Sequence, residues 1–243
     1  MSLHVGTSGW AYKEWRPAFY PDGLSQARFL SHYAARLTAC EINATHYRLQ
    51  SESAVANWAA QTPPGFLFAA KAHRRLTHTR VLPPHGGGDE FLARFLDSLV
   101  PLGDRLGAVL LQFPPARERD DGVLADLLSC LPPGLPAALE FRHESWAAPA
   151  VEERIAAAGC TICISETTGA VLPRLPEGPL AYVRLRANGY DDAARFGWRD
   201  LLEREAEARP VFAFAKHEGV PAGDPHVGVG LAEWLLRGEP GPV

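Results

Sequence analysis

Short apolar runs and amphipathic stretches alternate along the whole chain. Leu3-His-Val-Gly-Thr7, Cys40-Glu-Ile-Asn43, Phe66-Leu-Phe-Ala-Ala-Lys71 and Gly107-Ala-Val-Leu-Leu-Gln112 are runs of strand length. Ala137-Ala-Leu-Glu140, Thr161-Ile-Cys-Ile-Ser165, Leu180-Ala-Tyr-Val-Arg-Leu-Arg186 and Val211-Phe-Ala-Phe-Ala-Lys216 continue the series. Apolar runs this short, bounded by Gly, Pro and polar residues, read as buried strands. Between them apolar residues recur at helical spacing, as at Phe29, Leu30, Tyr33 and Leu37, or at Phe91, Leu92, Phe95, Leu96 and Leu99. Ser25, Ser51, Asp89 and Asp224-Pro225 are expected to open helices, and Thr62-Pro-Pro-Gly65 and Gly159 to end two. A further helix is expected from about Trp198 to Ala208, whereas Thr167 to Gly178 is too rich in Gly and Pro for a full one.

Strand and helix thus alternate about eight times, with short connections and no linker-like break, which implies a parallel sheet. The fold class is α/β, and eight units in this length match a single (β/α)8 barrel domain over residues 1–243, irregular around the sixth helix. An open doubly wound sheet is the alternative, and both folds bind ligands at the carboxyl ends of their strands.

A 47% hydrophobic composition over 243 residues can bury a sizeable core, and a net charge of −4 argues against a nonspecific nucleic-acid coat or a membrane-surface protein. It leaves room for a local basic cleft. No apolar run approaches the length of a membrane span, and the opening residues lack the basic and apolar regions of a secretory leader. Cys160 and Cys163 fit C-x-x-C by letter, but residues three apart on a strand face opposite ways, so the four cysteines read as structural thiols in a reducing cytoplasm.

The strands end in charges. Alternate side chains share a face, so Glu140 and Arg142 point together while Phe141 points away. Alone, such a pair is as readily a structural ion pair that closes a sheet as it is a ligand site. Other strands close the same way: with Glu41 and Asn43, Lys71, Gln112, Glu166, Arg184 and Arg186, and Lys216 followed by His217 and Glu218. Barrel interiors are normally filled by branched apolar residues, so charges gathered at one end point to a site. Arg48 and the Arg74–Arg80 loop tip the balance positive, which favours a phosphate or carboxylate ligand. Gly189, Gly228 and Gly230 follow strands seven and eight, where such barrels hold phosphate, although each serves equally as a turn or close-packing glycine.

The expected division of labour puts Glu140, Glu166, His143 and His217 on proton transfer. Arg142, Arg184, Arg186 and Lys71 hold the anion, while Trp10, Tyr12 and Trp146 stack on or enclose the ligand. Glu41, Asn43, Arg48, Gln112 and Lys216 complete the binding set. A loop histidine is in general more often plain surface than catalytic. His46, Glu41, Glu140, Glu166 and His217 carry metal-ligand atoms, but no spacing signature is present, so no metal is assigned and the cofactor stays unknown. His85-Gly-Gly-Gly88 has the letters of a lipase oxyanion loop without a nucleophile elbow to partner it, and no G-x-x-x-x-G-K-[ST] phosphate loop occurs.

Gly6-Thr-Ser-Gly-Trp10 with Tyr12, Trp15 and Phe19-Tyr-Pro21 resembles the opening of the DUF72, or YecE-like, family. Glu41-Ile-Asn43 with Tyr47-Arg48, Phe68 with Lys71, Thr77-His78 and Leu111-Gln-Phe-Pro-Pro115 continue the resemblance, as do Glu140-Phe-Arg-His143, Trp146 and Tyr182-Val-Arg184. His46 departs from the aromatic usual there, and Ala215-Lys-His-Glu218 matches only one of the family's variants. The resemblance implies a TIM-type barrel and a location for the site, and no settled chemistry. From the residues, the expectation is an enzyme of hydrolase or lyase type acting on a phosphorylated or otherwise anionic small molecule or nucleic-acid component. The alternative is a non-catalytic binder of nucleotides or single-stranded nucleic acid; a third makes the polar ends a purely structural network. No membrane partner is expected, and the oligomeric state is left open.

Overall fold

The computed structural model describes residues 3–238; Met1 and Ser2, which open the stretch read for a leader, lie outside it. Eight parallel strands follow one another around a ring: β1 (Leu3–Thr7), β2 (Ala39–Ile42), β3 (Leu67–Lys71), β4 (Leu106–Gln112), β5 (Ala137–Glu140), β6 (Thr161–Glu166), β7 (Ala181–Leu185) and β8 (Val211–Ala215). Helices α1 (Phe29–Ala34), α2 (Ala44–Tyr47), α3 (Glu52–Ala60), α4 (Gly88–Asp97), α5 (Asp121–Cys130), α6 (Pro149–Ala157), α7 (Asp192–Ala208) and α8 (Gly228–Arg237) lie outside it. The result is a (β/α)8 barrel, and no helix among the described residues joins β6 to β7. That gap is a strap in which Arg174 and the Glu177 amide are both fastened to Glu152 of α6.

Several helix starts differ from expectation. α7 begins six residues before Trp198, because Asp191 accepts from the Ala194 amide and sets the first turn earlier. α4 starts behind Gly87 in the left-handed region, which puts Asp89 inside the first turn instead of at the cap. Asp224 holds the His226 amide in a turn ahead of α8, whose own cap position is Val227. Ser25 precedes a short 3-10 turn and makes no capping bond.

The barrel interior is filled by unequal partners. β2 to β5 contribute Ala39, Ala69, Ala108 and Ala138, and β7 and β8 fill that space with Tyr182, Phe212 and Phe214. Gly107 belongs to the same fit, since a Cβ there would lie 2.7 Å from the Phe212 ring.

Closure between β1 and β2 relies on side chains beside a sparse backbone pairing, in which the Thr38 amide donates to the Val5 carbonyl at 3.1 Å. Ser8 and Glu41 form a lone bridge at the top, and the Thr38 hydroxyl accepts from the Val5 amide at 2.8 Å lower down. Between them the Tyr33 hydroxyl, reaching in from α1, accepts from the Thr7 amide at 2.7 Å and donates to the Ala39 carbonyl at 3.0 Å. It satisfies backbone groups that the diverging strands cannot offer each other. A Cβ on Gly6 would sit 2.6 Å from that hydroxyl and 1.8 Å from the Ala39 carbonyl oxygen, so glycine is required there. On the opposite side, β5 and β6 pair at only two positions and splay toward their carboxyl ends.

No helix among the described residues is long and apolar enough to cross a membrane. All four cysteines are free, and Cys163 faces the barrel interior while Cys160 joins the outer core. Tyr33→Phe is expected to lower stability by about 1–3 kcal/mol in urea unfolding, because two buried backbone groups lose their partner. A loss under about 0.5 kcal/mol would mean the hydroxyl does not close the ring.

Candidate functional site

The residues facing inward at the top of the strands follow from the two-residue period. Ala39 and Glu41 share a face, as do Ala69 and Lys71, Leu110 and Gln112, Ala138 and Glu140, and Tyr182 and Arg184. The lower member of each pair packs the apolar interior, so the upper member is delivered to the mouth. Glu41 and Glu140 are 0% exposed and Arg184 is 3% exposed. Arg184 stands between the two carboxylates, donating through Nη2 to Glu41 Oε1 at 2.9 Å and through Nη1 to Glu140 Oε2 at 2.8 Å.

Each carboxylate is satisfied further. The Ser8 hydroxyl and the Tyr182 hydroxyl each donate to Glu41 at 2.7 Å. The Gln112 amide donates to both Glu140 oxygens at 2.9 Å, and Arg142 Nε donates to Oε1 at 2.9 Å. Burial alone would raise the Glu140 carboxyl; Arg184, Gln112 and Arg142 together outweigh it and hold Glu140 below the usual range. Glu140 therefore stays ionised, and its oxygens are occupied by donors.

Lys71 is the odd member of this layer. It is 9% exposed, and its Nζ makes no hydrogen bond to any described residue, while the oxygens of Glu41 and Glu140 accept from other donors. Burial first, and then repulsion from Arg184, lower its pKa to about 8 against the pull of Glu41 and Glu140. Arg142, 38% exposed, uses Nε on Glu140 and has no partner among the described residues for its terminal nitrogens. His78 lies within the fields of Lys71, Arg74, Arg142 and Arg117, and burial and those cations lower its pKa. His46 is buried with Nδ1 2.8 Å from the Ala72 carbonyl, and its pKa is lowered to about 4, chiefly by burial. The β3–β5 side of the mouth is accordingly cationic, with its carboxylates neutralised beneath it.

The other expected residues fall into two groups. Lys216, His217, Arg186 and Glu218 form a rim over β7 and β8. Lys216 donates to Asn188 at 2.7 Å, and Arg186 approaches Glu218 at 3.4 Å. His217 stacks on Tyr12 with ring centroids 4.3 Å apart, and burial is the main cause lowering its pKa. The Tyr12 hydroxyl is tied to the Ser8 carbonyl at 2.6 Å, and Asn43 reaches the same carbonyl at 3.4 Å.

The second group does not join the central layer. Glu166 has the opposite parity to inward-facing Cys163, so it points out of the barrel. Its oxygens accept from the Thr168 and Gly169 amides, the Thr168 hydroxyl and the Tyr190 hydroxyl, which fastens the start of the β6–β7 strap. Oε1 takes the three bonds from Thr168 and Gly169 and Oε2 the one from Tyr190, so Glu166 lies apart from the central layer on which proton transfer was expected. His143 caps the turn ahead of Trp146, its Nδ1 accepting from the Ser145 amide at 3.3 Å. Trp146 is buried flat on Phe141 at 4.2 Å, and partly buried Trp10 packs edge-on against Trp58 at 5.6 Å. Arg48 is exposed beside α2, and no side-chain contact ties it to the central layer. Gly230 packs where a Cβ would meet the Asp224 carbonyl at 2.3 Å, and Gly228 where it would meet Val220 at 2.9 Å, both close-packing positions.

Where β5 and β6 splay, a groove of about 690 Å³ opens, lined among others by Arg142, His143, Trp146 and Glu166. It shares Arg142 with the mouth, but Lys71, Glu41 and Arg184 do not line it. Among the described residues, no three His, Cys, Asp or Glu side chains converge to hold a metal ion. Ser8 and Tyr182 were not expected in the site; Tyr182 was findable, because it shares the face of Arg184 and Arg186.

The family described as protein of unknown function DUF72 matches residues 4–225. The chain is 30% identical to UPF0759 protein YunF of Bacillus subtilis over 157 residues, which is 63% of this chain and 55% of YunF. It is 28% identical to UPF0759 protein YecE of Escherichia coli (strain K12) over 153 residues, covering 63% of this chain and 53% of YecE. The chain thus spans about half the length of the curated relatives it matches. A crystal structure of a DUF72 family protein from Thermotoga maritima superposes with a TM-score of 0.77 at 22% identity, covering 98% of both chains, and shares the fold.

Two substitutions separate the roles of the buried charges. Arg184→Met is expected to cost about 3–5 kcal/mol, because Glu41 and Glu140 lose their common partner. Lys71→Met is expected to stabilise by about 1–3 kcal/mol near neutral pH, because it removes a desolvated ammonium that lacks an acceptor. Folded Lys71 titrates at about 8 against 10.5 ordinarily, so between those values the unfolded chain binds more protons and wild-type stability rises with pH. The gap between Lys71→Met and wild type should narrow across that window in urea melts; a gap that stays constant or widens contradicts the assignment.

Proposed function

The chain belongs to the DUF72 family, whose function is not established, and we propose from its own barrel mouth that it is an enzyme of hydrolase or lyase type binding a phosphorylated or carboxylated small molecule at the C-terminal rim. The observation that carries this is the pair of uncommitted cationic groups, Lys71 Nζ and the terminal nitrogens of Arg142, above carboxylates that are already satisfied. An anion seated there replaces lost hydration with two charge-assisted contacts, above carboxylates whose charge Arg184 offsets. Glu140 keeps the Arg142 fork oriented toward the ligand. Lys71, whose pKa of about 8 lies near neutrality, is the proton carrier in place of Glu140. Ligand binding favours the ammonium form, so affinity couples to proton uptake by Lys71. Four free cysteines favour a reducing cytoplasm as its place of work.

A second reading, a non-catalytic binder of nucleotides or single-stranded nucleic acid, draws on Tyr47, which is 70% exposed beside exposed Arg48. Inorganic phosphate, pyruvate, AMP and a short oligonucleotide, each tested by thermal shift and then calorimetry, separate the two. Phosphate or pyruvate should raise the melting temperature, by an amount equivalent to about 2.7 kcal/mol at a hundredfold excess over Kd. Arg142→Gln should weaken that binding about tenfold without lowering the melting point of the free protein much. Stabilisation by the oligonucleotide alone, with a steep salt dependence, would favour the second reading. No response to any of the four, together with an unaltered profile in Arg142→Gln, would leave the polar layer as purely structural.

A further inference from the structure

We infer that Lys71 is a covalent nucleophile, forming a Schiff base with an aldehyde or ketone whose molecule also carries the phosphate or carboxylate. The inference rests on the anion-binding reading and deepens it by naming the substrate class.

The first observation is how the chain uses its cations. It contains three lysines, Lys13, Lys71 and Lys216, against twenty-one arginines. Charge pairing in the barrel mouth is done by Arg142 and Arg184, each in a hydrogen bond to a buried carboxylate. Had the third cation only to supply charge, arginine would do it, since its fork suits anions better and tolerates burial better. An amine differs from a guanidinium in one chemical respect: it can shed a proton near neutral pH and offer a lone pair.

The second observation is what surrounds that amine. Glu41 from β2, Glu140 from β5, Arg142 just beyond β5 and Arg184 from β7 all act on Lys71 electrostatically, and the carboxylate oxygens are bonded to Ser8, Tyr182, Gln112 and the arginines. No described residue accepts a hydrogen bond from Nζ, so deprotonation breaks no contact. The guanidinium of Arg184 beside it disfavours the ammonium, the means by which a lysine is activated next to another cation. Arg142 acts on Lys71 electrostatically and has no partner among the described residues for its terminal nitrogens, so it is the group to seat the anion of the aldehyde or ketone.

The step balances without a further reagent. The Lys71 ammonium releases one proton, and the lone pair of Nζ forms a bond to the carbonyl carbon while the C=O π electrons move to oxygen. That oxygen takes up the proton that the newly bonded nitrogen gives up, which leaves a neutral carbinolamine. Loss of the hydroxyl, protonated as it leaves, breaks the C–O bond and expels water, leaving a protonated imine. Ammonium and carbonyl thus become iminium and water, with no change of oxidation state. The iminium draws electrons from bonds at the adjacent carbon, the property that lyase chemistry on carbonyl compounds requires.

The test uses borohydride reduction of the full-length protein in the presence of glyoxylate or pyridoxal 5′-phosphate, aldehydes carrying a carboxylate and a phosphate respectively. Peptide mass mapping then compares Lys71 with exposed Lys13 as a reference in the same chain. Lys71 should be trapped at least about tenfold faster than Lys13, and added inorganic phosphate should slow it. Trapping at Lys71 no faster than at Lys13 with both aldehydes overturns the inference. Lys71→Arg keeps the charge: it should still be stabilised by phosphate while Lys13 becomes the main trapped site. If phosphate stabilises the wild type and Lys71 is not selectively trapped, anion binding stands and the Schiff base fails. If Lys71 is trapped selectively and phosphate neither slows it nor stabilises the protein, the amine is nucleophilic and the anion-binding reading fails.

Discussion

One guanidinium shared between two buried carboxylates sets the character of this protein. Glu41 and Glu140 come from opposite parts of the sheet, and both lie fully inside the barrel. Two like charges in so dry a place would be strongly destabilising without a common counter-ion. Arg184 on β7 is that counter-ion, and the hydroxyls of Ser8 and Tyr182 on Glu41, with the Gln112 amide and Arg142 on Glu140, add further donors. Lys71, the next cation in the layer, donates to none of these oxygens. Its pKa is lowered first by burial and then by the Arg184 guanidinium, and Arg142 spends only Nε on Glu140.

The barrel serves to hold that arrangement in register. Small residues on β2 to β5 let Tyr182, Phe212 and Phe214 cross the interior, which gives the polar layer an apolar floor. The ring is weakest at two places. Between β1 and β2 the Tyr33 hydroxyl and the Ser8–Glu41 bridge supplement a sparse backbone pairing, so the same Ser8 and Glu41 that close the ring also belong to the polar layer. Between β5 and β6 the ladder stops early, and the groove that opens there adjoins the mouth through Arg142. Stability and site geometry are therefore coupled through few residues.

Much of the fold was legible in the sequence because each strand is a short apolar run and each connection is short. The lack of a helix between β6 and β7 was legible for a local reason, since Gly and Pro between Thr167 and Gly178 cannot sustain one. The central layer was legible through the two-residue period: Glu140 with Arg142, and Arg184 below Arg186. Glu166 shows where that reasoning stops. A strand end supplies a charge, but the face it takes depends on which of its neighbours packs inward, and in β6 that neighbour is Cys163. Trp10 and Trp146 meet a related limit, since an aromatic in a loop does not reveal against which surface it lies. Tyr33 carried an apolar helical signal that hid the reach of its hydroxyl into the sheet.

The central claim concerns the state of one amine, and the chain's three lysines make that state directly observable. A pH titration of lysine side-chain carbon and nitrogen resonances, with Lys71→Arg for assignment, should show Lys71 titrating near 8, well below the ordinary 10.5. Inorganic phosphate should move that titration upward, because an anion at Lys71 and Arg142 stabilises the ammonium. A Lys71 that titrates near 10.5 and ignores phosphate would contradict the account.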